Sequence, residues 1–203
     1  MEPLETIESP AVPLALANVD TDQLIPARFM KRPRSAGYGD YLLYDLRNDP
    51  AGSVKGNRLD DPRHAGAAVI VARRNFGCGS SREAAVYALQ DYGVRCVIAP
   101  SFGDIFASNA VKNGVLPARV TDADAEALLA SPTILDGHPV RVDLLAETVT
   151  AGNLVIPFAI DAIWKKQLLN GWDDIDFTIA EQPAIERFRT SDAIARPWAA
   201  PQA

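Results

Sequence analysis

Residues 75–83 read Asn-Phe-Gly-Cys-Gly-Ser-Ser-Arg-Glu and connect an apolar run to a helical pattern. The run before this turn, residues 67–72, is continuously apolar and predicts a buried strand. Residues 81–92 predict a helix, and Gly93 follows at the position where glycine commonly ends one. A buried strand, a glycine turn and a helix in this order favour an α/β fold with parallel strands joined through helices.

The alternation of strand and helix continues on both sides of this turn. Residues 96–99 predict a second buried strand, and residues 103–113 predict a second helix. Residues 4–16 contain Pro10 and Pro13 among short apolar runs, which predicts one or two edge strands because proline donates no ladder hydrogen bond. The other predicted elements are a short helix at 23–25 capped from within 20–22, a helix at 122–130, strands at 140–145, 148–150 and 154–160, and a helix at 161–169 with Asp161 as its N-cap.

Some segments lack strong periodicity. Residues 41–46 predict a strand or a helical turn, and residues 49–64 predict a long loop. The chain contains neither an internal repeat nor a linker, so residues 1–203 are predicted to form a single domain. Its end, from about residue 190, predicts a loose tail.

The composition disfavours several classes of protein. The formal net charge of −6 argues against nucleic acid or an anionic membrane as a partner, because a duplex binder carries a broad basic surface. No apolar stretch is long enough to span a bilayer and the acidic first residues are unlike a signal peptide, so a cytoplasmic location is expected. With two cysteines and two histidines, the chain is not expected to hold zinc or to ligate a four-cysteine iron–sulfur cluster by itself.

The glycine turn contains the residue types of a small anion site. Its two glycines allow the backbone to turn tightly, and the helix start offers N–H groups and a partial positive charge. Ser80 and Ser81 add hydroxyls, and Arg82 adds a fork that fits a carboxylate. A structural alternative stays open, because Ser80 and Glu83 have the spacing of a capping box.

Three other glycine motifs do not fit this turn. A P-loop needs a lysine after its last glycine, and a nucleophile elbow needs a glycine two residues after its serine. A dinucleotide fingerprint would need a third glycine in the helix, where Ala84 and Ala85 stand. These ligand and reaction classes are therefore disfavoured.

A second candidate segment is basic. Residues 28–39 contain four cationic side chains within seven positions and then two glycines, which predicts a mobile loop. The alternative is a solvated run of charge without a ligand.

Three stretches together resemble one family. Residues 18–26 (Asn-Val-Asp-Thr-Asp-Gln-Leu-Ile-Pro), 75–83 and 99–106 (Ala-Pro-Ser-Phe-Gly-Asp-Ile-Phe) are similar to the small subunits of bacterial 3-isopropylmalate dehydratases, in the aconitase superfamily. The similarity runs in order from about residue 4 to about residue 190. One departure is Ala84, where many relatives have histidine.

This resemblance implies a fold, a reaction and a partner. The fold would be the swivelling β/β/α domain of the aconitase type. The reaction would isomerise 2-isopropylmalate to 3-isopropylmalate by dehydration and rehydration, a step of leucine biosynthesis. A large partner subunit, in a heterodimer or heterotetramer, would hold a [4Fe–4S] cluster whose open iron binds the small dicarboxylic hydroxy acid, and this chain itself would carry no cofactor.

The resemblance also implies roles for particular residues. Ser80 would be the catalytic base that removes a proton from carbon, and Ser81 and Arg82 would contact the substrate. The loop after residues 18–26 would select the substrate's side chain. The loop residues expected to bind substrate are Arg28, Phe29, Met30, Lys31 and Arg32.

Two other functions remain possible from the sequence. One is the small subunit of a sister hydro-lyase acting on another malate-type acid, such as methylmalate or homoaconitate. The other is an anion-binding module without catalysis, although such a module would not need both serines of the turn.

Overall fold

The structure, a computed structural model, describes residues 1–199. The chain divides into two compact units, one spanning Met1–Gly171 and the other beginning at Trp172. Both β-sheets belong to the first unit.

The first unit contains one parallel and one antiparallel sheet. Its strands are β1 (Thr6–Ser9), β2 (Ala11–Leu14), β3 (Val69–Ala72), β4 (Cys96–Ala99), β5 (Leu116–Arg119), β6 (Val140–Asp143), β7 (Thr148–Ala151) and β8 (Leu154–Pro157). The parallel sheet has the order β2-β3-β4-β5, and the antiparallel sheet has the order β1-β6-β7-β8. Pro10 separates β1 from β2, and each forms the edge of a different sheet, which confirms the two predicted edge strands.

The parallel sheet is buried on both faces. Val69 and Val71 of β3 pack in a core shared with the antiparallel sheet, whereas Ile70 and Ala72 pack in a second core against the helices. Successive side chains of a strand point to opposite faces, so a continuously apolar strand fits this position between two layers. The resulting layers, sheet, sheet and helices, are the β/β/α arrangement that the resemblance implies.

The helices of this unit confirm most of the predicted pattern. They are α1 (Thr21–Leu24), α2 (Tyr44–Arg47), α3 (Glu83–Tyr92), α4 (Asp104–Lys112), α5 (Asp122–Leu129), α6 (Pro132–Leu135) and α7 (Ala162–Asn170). Helix α3 connects β3 to β4 and α4 connects β4 to β5, and both strand pairs are parallel. Asp161 caps α7 by accepting the N–H groups of Ile163 and Trp164, as predicted.

The loop at residues 28–39 differs from the mobile segment that its composition predicts. It is folded into short 3-10 turns, and Tyr38 within it is only 6% exposed. The Tyr38 N–H donates to the Asp91 carboxylate on α3 at 3.0 Å. At Gly39 a Cβ atom would stand 2.7 Å from the Asp91 carbonyl carbon, so the loop lies directly on the α3 backbone. Contacts with a helix distant in sequence hold this loop, and its own residues do not reveal them.

The described part of the second unit, residues 172–199, is mainly helical. It contains α8 (Asp174–Ala180), capped by Asp173, and α9 (Gln182–Ala195). The sequence predicts one domain with a loose tail from about residue 190, whereas the structure has a unit boundary after Gly171 and an α9 that continues to Ala195. The helix ends there because Arg196 precedes a proline, which disfavours helical backbone at that residue. Within residues 1–199, no helix is long and apolar enough to cross a membrane.

Candidate active site

The glycine turn lies at the carboxyl end of β3, between the segments that follow β2 and β4. On one side, the Gly103 N–H donates to the Phe76 carbonyl at 2.9 Å. On the other side, the Gly77 N–H donates to the Val19 carbonyl at 2.7 Å. The three sequence stretches that carry the family resemblance therefore meet at one end of the parallel sheet, the usual place for a ligand site in such folds.

The two glycines of the turn are required for different physical reasons. Gly77 has a φ of 72°, and a Cβ there would lie within 2.5 Å of the Phe106 ring carbons. Gly79 has a φ of 93°, which side chains rarely adopt, while its surroundings leave ordinary contact distances. The first glycine thus makes room for an aromatic ring, and the second permits the change of backbone direction before Ser80.

Ser80 is not a helix cap in this structure. Helix α3 begins at Glu83, and its N-cap is Arg82, which makes no side-chain capping bond. The Glu83 carboxylate instead accepts from the Asn113 amide at 3.1 Å. Within residues 1–199 the Ser80 hydroxyl has no hydrogen-bond partner, and Ser80 and Ser81 are both exposed. The capping-box interpretation is therefore wrong, and Ser80 is available to a ligand.

Ser80 lines a cleft together with the start of α4. The cleft has a volume of about 200 Å³ and is lined by Gly77, Gly79, Ser80, Gly103, Asp104, Ile105 and Phe106. Gly103 is the N-cap of α4 and has no side chain to satisfy the first N–H groups of the helix. Such unpaired N–H groups bind anions, and the helix dipole adds a partial positive charge. The sequence predicts the start of α3 close to Ser80, and the structure adds the start of α4 on the cleft that Ser80 lines.

Arg82 is held by an acidic residue of α1. Its Nη1 atom donates to Oδ1 of Asp22 on α1, in a close ion pair. The Arg82 side chain is 26% exposed and Asp22 is 58% exposed, so the pair lies at the rim of the site and is open to solvent. The guanidinium keeps further N–H donors for a second carboxylate, since it carries five in total.

The basic loop residues belong to a separate cluster. Arg28 forms a bidentate ion pair with Asp45, which raises the pKa of the guanidinium through hydrogen bonding. Phe29 stacks on Tyr41 with ring centroids 4.2 Å apart, and Arg32 donates to the Tyr41 hydroxyl. Met30 is half-buried and packs against the core, and Lys31 is exposed. The structure therefore does not bring these five residues into direct contact with Ser80, Ser81 or Arg82.

Sequence reasoning missed two groups at this site. Asp22 was expected only as a capping residue type, and its pairing with Arg82 joins positions 60 residues apart. The start of α4 was predicted, but its position beside Ser80 depends on the parallel pairing of β3 with β4. A weak signal existed, since Gly103 opens a predicted helix without a capping side chain.

The cysteines do not add chemistry of their own to the site. Burial raises the pKa of the Cys78 thiol, and the nearby Asp20 charge acts in the same direction, so Cys78 is not an activated nucleophile. Cys96 is fully buried in β4. Among residues 1–199, no group of three or more histidine, cysteine or acidic side chains could hold a metal ion.

Comparisons with known proteins agree with this geometry. The family model of the aconitase C-terminal domain matches residues 1–123. The small subunit of 3-isopropylmalate dehydratase from Acidobacterium capsulatum is 43% identical over 203 residues, which cover 100% of this chain and 96% of the relative. That from Phenylobacterium zucineum is 45% identical over 200 residues, covering 98% of each. A crystal structure of 3-isopropylmalate dehydratase from Methanocaldococcus jannaschii is 26% identical, with a TM-score of 0.63 over 90% of this chain and 98% of that one.

The β/β/α layers and the Ser-Ser-Arg turn at the end of the parallel sheet define a domain of the aconitase superfamily. The relatives cover this chain almost completely, including its C-terminal helices. The chain accordingly belongs to the family of 3-isopropylmalate dehydratase small subunits.

Proposed function

We propose that this chain is the small subunit of a heteromeric hydro-lyase that interconverts 2-isopropylmalate and 3-isopropylmalate in leucine biosynthesis. The observation that carries the proposal is the exposed Ser80 hydroxyl in a cleft beside the free N-terminus of α4. A base of this kind suits abstraction of a proton from carbon, the step that accompanies loss of water from a hydroxy acid. Relatives of which this chain covers 96% and 98% carry the name of this enzyme.

Ser80 needs help to act as a base, because a free serine hydroxyl holds its proton firmly at neutral pH. The N–H groups at the start of α4 offer hydrogen bonds to an alkoxide at Ser80, and the helix dipole favours its negative charge. In the forward direction Ser80 takes the proton from the carbon next to the one that loses hydroxide. During rehydration Ser80 returns a proton to the carbon that lost hydroxide, and hydroxide adds to the carbon that was deprotonated, so the hydroxyl group moves to the neighbouring carbon.

Arg82 and Ser81 would bind the substrate at the rim of the cleft. The Arg82 guanidinium can donate to one substrate carboxylate in place of solvent, while Asp22 keeps the guanidinium oriented. Ser81 is exposed beside it and can donate to a substrate oxygen. These contacts hold the acid so that its carbon-bound proton faces Ser80.

The remaining chemistry belongs to a large subunit. We propose that this partner carries the [4Fe–4S] cluster, which binds the departing hydroxyl group, in a heterodimer or heterotetramer. The two unpaired cysteines, Cys78 and Cys96, suit a reducing compartment, and we propose a cytoplasmic location.

Reconstitution with a large subunit tests this function. Purified alone, the chain is expected to be colourless and inactive. Combined anaerobically with a 3-isopropylmalate dehydratase large subunit, it is expected to give turnover of 2-isopropylmalate in an ultraviolet assay. Assembled complexes that turn over methylmalate or homoaconitate in preference would indicate a sister hydro-lyase. Complexes that turn over none of these acids would indicate an anion-binding module.

Exchange of residues 28–32 tests whether the loop selects the substrate. We expect replacement by the same segment of a relative with another specificity to shift the ratio of kcat/KM values between two acids. Hydrophobic discrimination of one methylene is worth about 1–3 kcal/mol, so the shift should lie within roughly 10- to 200-fold. Steady-state kinetics of the reconstituted complex measures it.

The structure indicates how to design this exchange. Arg34, Tyr38 and Gly39 fasten the loop to α3 and should be kept, so that only the segment before them changes. An exchange of the exposed turn at residues 51–53 serves as the control. An unchanged ratio after the 28–32 exchange would mean that the Arg28–Asp45 and Arg32–Tyr41 contacts are purely structural.

A further inference from the structure

Two hydrogen bonds from Thr21 bracket Gly79 in the turn. The Thr21 N–H donates to the Cys78 carbonyl at 2.9 Å, and the Thr21 hydroxyl donates to the Ser80 carbonyl at 3.0 Å. Thr21 is 1% exposed, so water does not compete for its hydroxyl. One residue at the start of α1 therefore holds the carbonyl groups on both sides of this glycine.

Gly79 is the point at which the turn most needs such support. Gly79 has a φ of 93° in the folded turn. Because glycine has no side chain, its backbone can also adopt other conformations without a steric penalty. Ser80 and Ser81 are exposed, and regular helix begins only at Glu83. The other hydrogen bond to the Ser80 backbone is local, from the Arg82 N–H at 2.8 Å. Among residues 1–199, the Thr21 hydroxyl is thus the hydrogen-bonding group outside the turn that fixes Ser80.

We propose that Thr21 is a positioning residue, which orients Ser80 toward the start of α4 through its hydroxyl-to-carbonyl bond. This inference rests on the function proposed above. Thr21 does not need to touch the substrate to act in this way. A displacement of the Ser80 carbonyl moves the Ser80 main chain, and the hydroxyl would then shift within the cleft that it shares with the start of α4.

Threonine is well suited to this task. Its branched side chain has few accessible χ1 rotamers, so a buried threonine presents its hydroxyl in a fixed direction. Asp20, one residue before it, forms a parallel bridge with Cys78 and caps α1 by accepting the Gln23 N–H at 2.7 Å. The main chain around Thr21 is consequently anchored on both sides, and its hydroxyl transmits that rigidity to Ser80.

Two substitutions test the proposal in the reconstituted complex. Thr21→Val keeps the shape and removes the hydroxyl, and we expect kcat to fall by roughly 10- to 100-fold, since a misplacement of about 1 Å can cost 10²-fold. KM for 2-isopropylmalate should change by less than about threefold, because Ser81 and Arg82 remain. Thr21→Ser restores a hydroxyl and should recover most of kcat. Amide hydrogen exchange of residues 76–83 in the free chain should be faster for Thr21→Val and near normal for Thr21→Ser.

Ser9→Ala is the matched control. The Ser9 hydroxyl likewise bonds to main chain distant in sequence, in this case by accepting the Ala68 N–H at 2.7 Å. Ser9 is the last residue of β1 and is far along the chain from the turn. The Ser9→Ala substitution should lower the melting temperature of the subunit without changing kcat of the complex. A Thr21→Val complex with normal kcat and normal exchange in the turn would overturn the proposal. A wild-type complex without turnover would refute the proposed function, whereas the exchange experiment would still decide whether Thr21 holds Ser80.

Discussion

Substitution of Ser80 by alanine is expected to lower kcat of the reconstituted complex by at least roughly 10²- to 10⁴-fold, the range typical of a positioned base. The loss should appear in kcat, because the carboxylate-binding groups Ser81 and Arg82 are untouched. Since Ser80 is exposed and caps no helix, the free energy of unfolding should change by less than about 0.5 kcal/mol. Steady-state kinetics with 2-isopropylmalate and thermal unfolding of the free subunit measure the two effects.

The free energy of unfolding of the Ser80→Ala subunit distinguishes a catalytic role of Ser80 from a role as a helix cap. A lost N-cap costs about 1 kcal/mol, so a Ser80→Ala subunit that unfolds early and retains its kcat would show that the hydroxyl has a structural role only. Ser53 is an exposed serine in the loop between α2 and β3, and Ser53→Ala provides the control for hydroxyl removal as such. Subunit assembly and cluster content should be unchanged in both variants.

The parallel sheet could be predicted from the sequence because its signals are local. β3 and β4 are short runs without polar residues, and each is followed by a helix that ends at glycine or asparagine. A strand that is buried on both faces has apolar side chains on both, so a continuous apolar run in the sequence indicates such a strand directly. The prediction of a βαβ arrangement needed nothing beyond these runs and their spacing.

The start of α3 could not be predicted, because tertiary contacts override the local capping signal. Ser80 and Glu83 have the spacing of a capping box, yet the Ser80 carbonyl is bound by Thr21 and the Glu83 carboxylate by Asn113. Both partners are more than 25 positions away in the sequence. The residues that would have extended the helix instead form the exposed end of the turn, so the Ser80 side chain is accessible to solvent.

The contribution of the resemblance differs from that of the residues themselves. The turn alone indicates a small anion site, and the proposal that Ser80 is a base rests on the family resemblance. The structure adds the start of α4, whose first N–H groups lie on the cleft that Ser80 lines and which would stabilise the proposed Ser80 alkoxide. The basic loop is predicted to be mobile, whereas in the structure its arginines bind Asp45, Tyr41 and α3.

Gly77→Ala is expected to destabilise the subunit by about 2–5 kcal/mol. Positive φ costs a non-glycine residue about 1–2 kcal/mol, and overpacking of a buried site typically costs about 1–3 kcal/mol. Both apply here, because Gly77 has a φ of 72° and its Cβ would overlap the ring of Phe106, which is 4% exposed. Urea unfolding of the free subunit measures the change. Activity of the complex should also fall, since Phe106 belongs to the first turn of α4.

Two further variants separate the two causes. Gly56 has a φ of 79° and nothing within 4 Å of its expected Cβ, so Gly56→Ala should show the backbone penalty alone. The Phe106 ring lies 5.4 Å from that of Phe76 and 6.4 Å from that of Phe102, so it has aromatic neighbours on two sides and cannot simply swing away. In a Phe106→Ala background the ring is gone, and Gly77→Ala should then cost no more than Gly56→Ala. Equal costs of Gly77→Ala with and without the Phe106 ring would contradict the steric account, and the requirement for glycine would then come from the backbone angle alone.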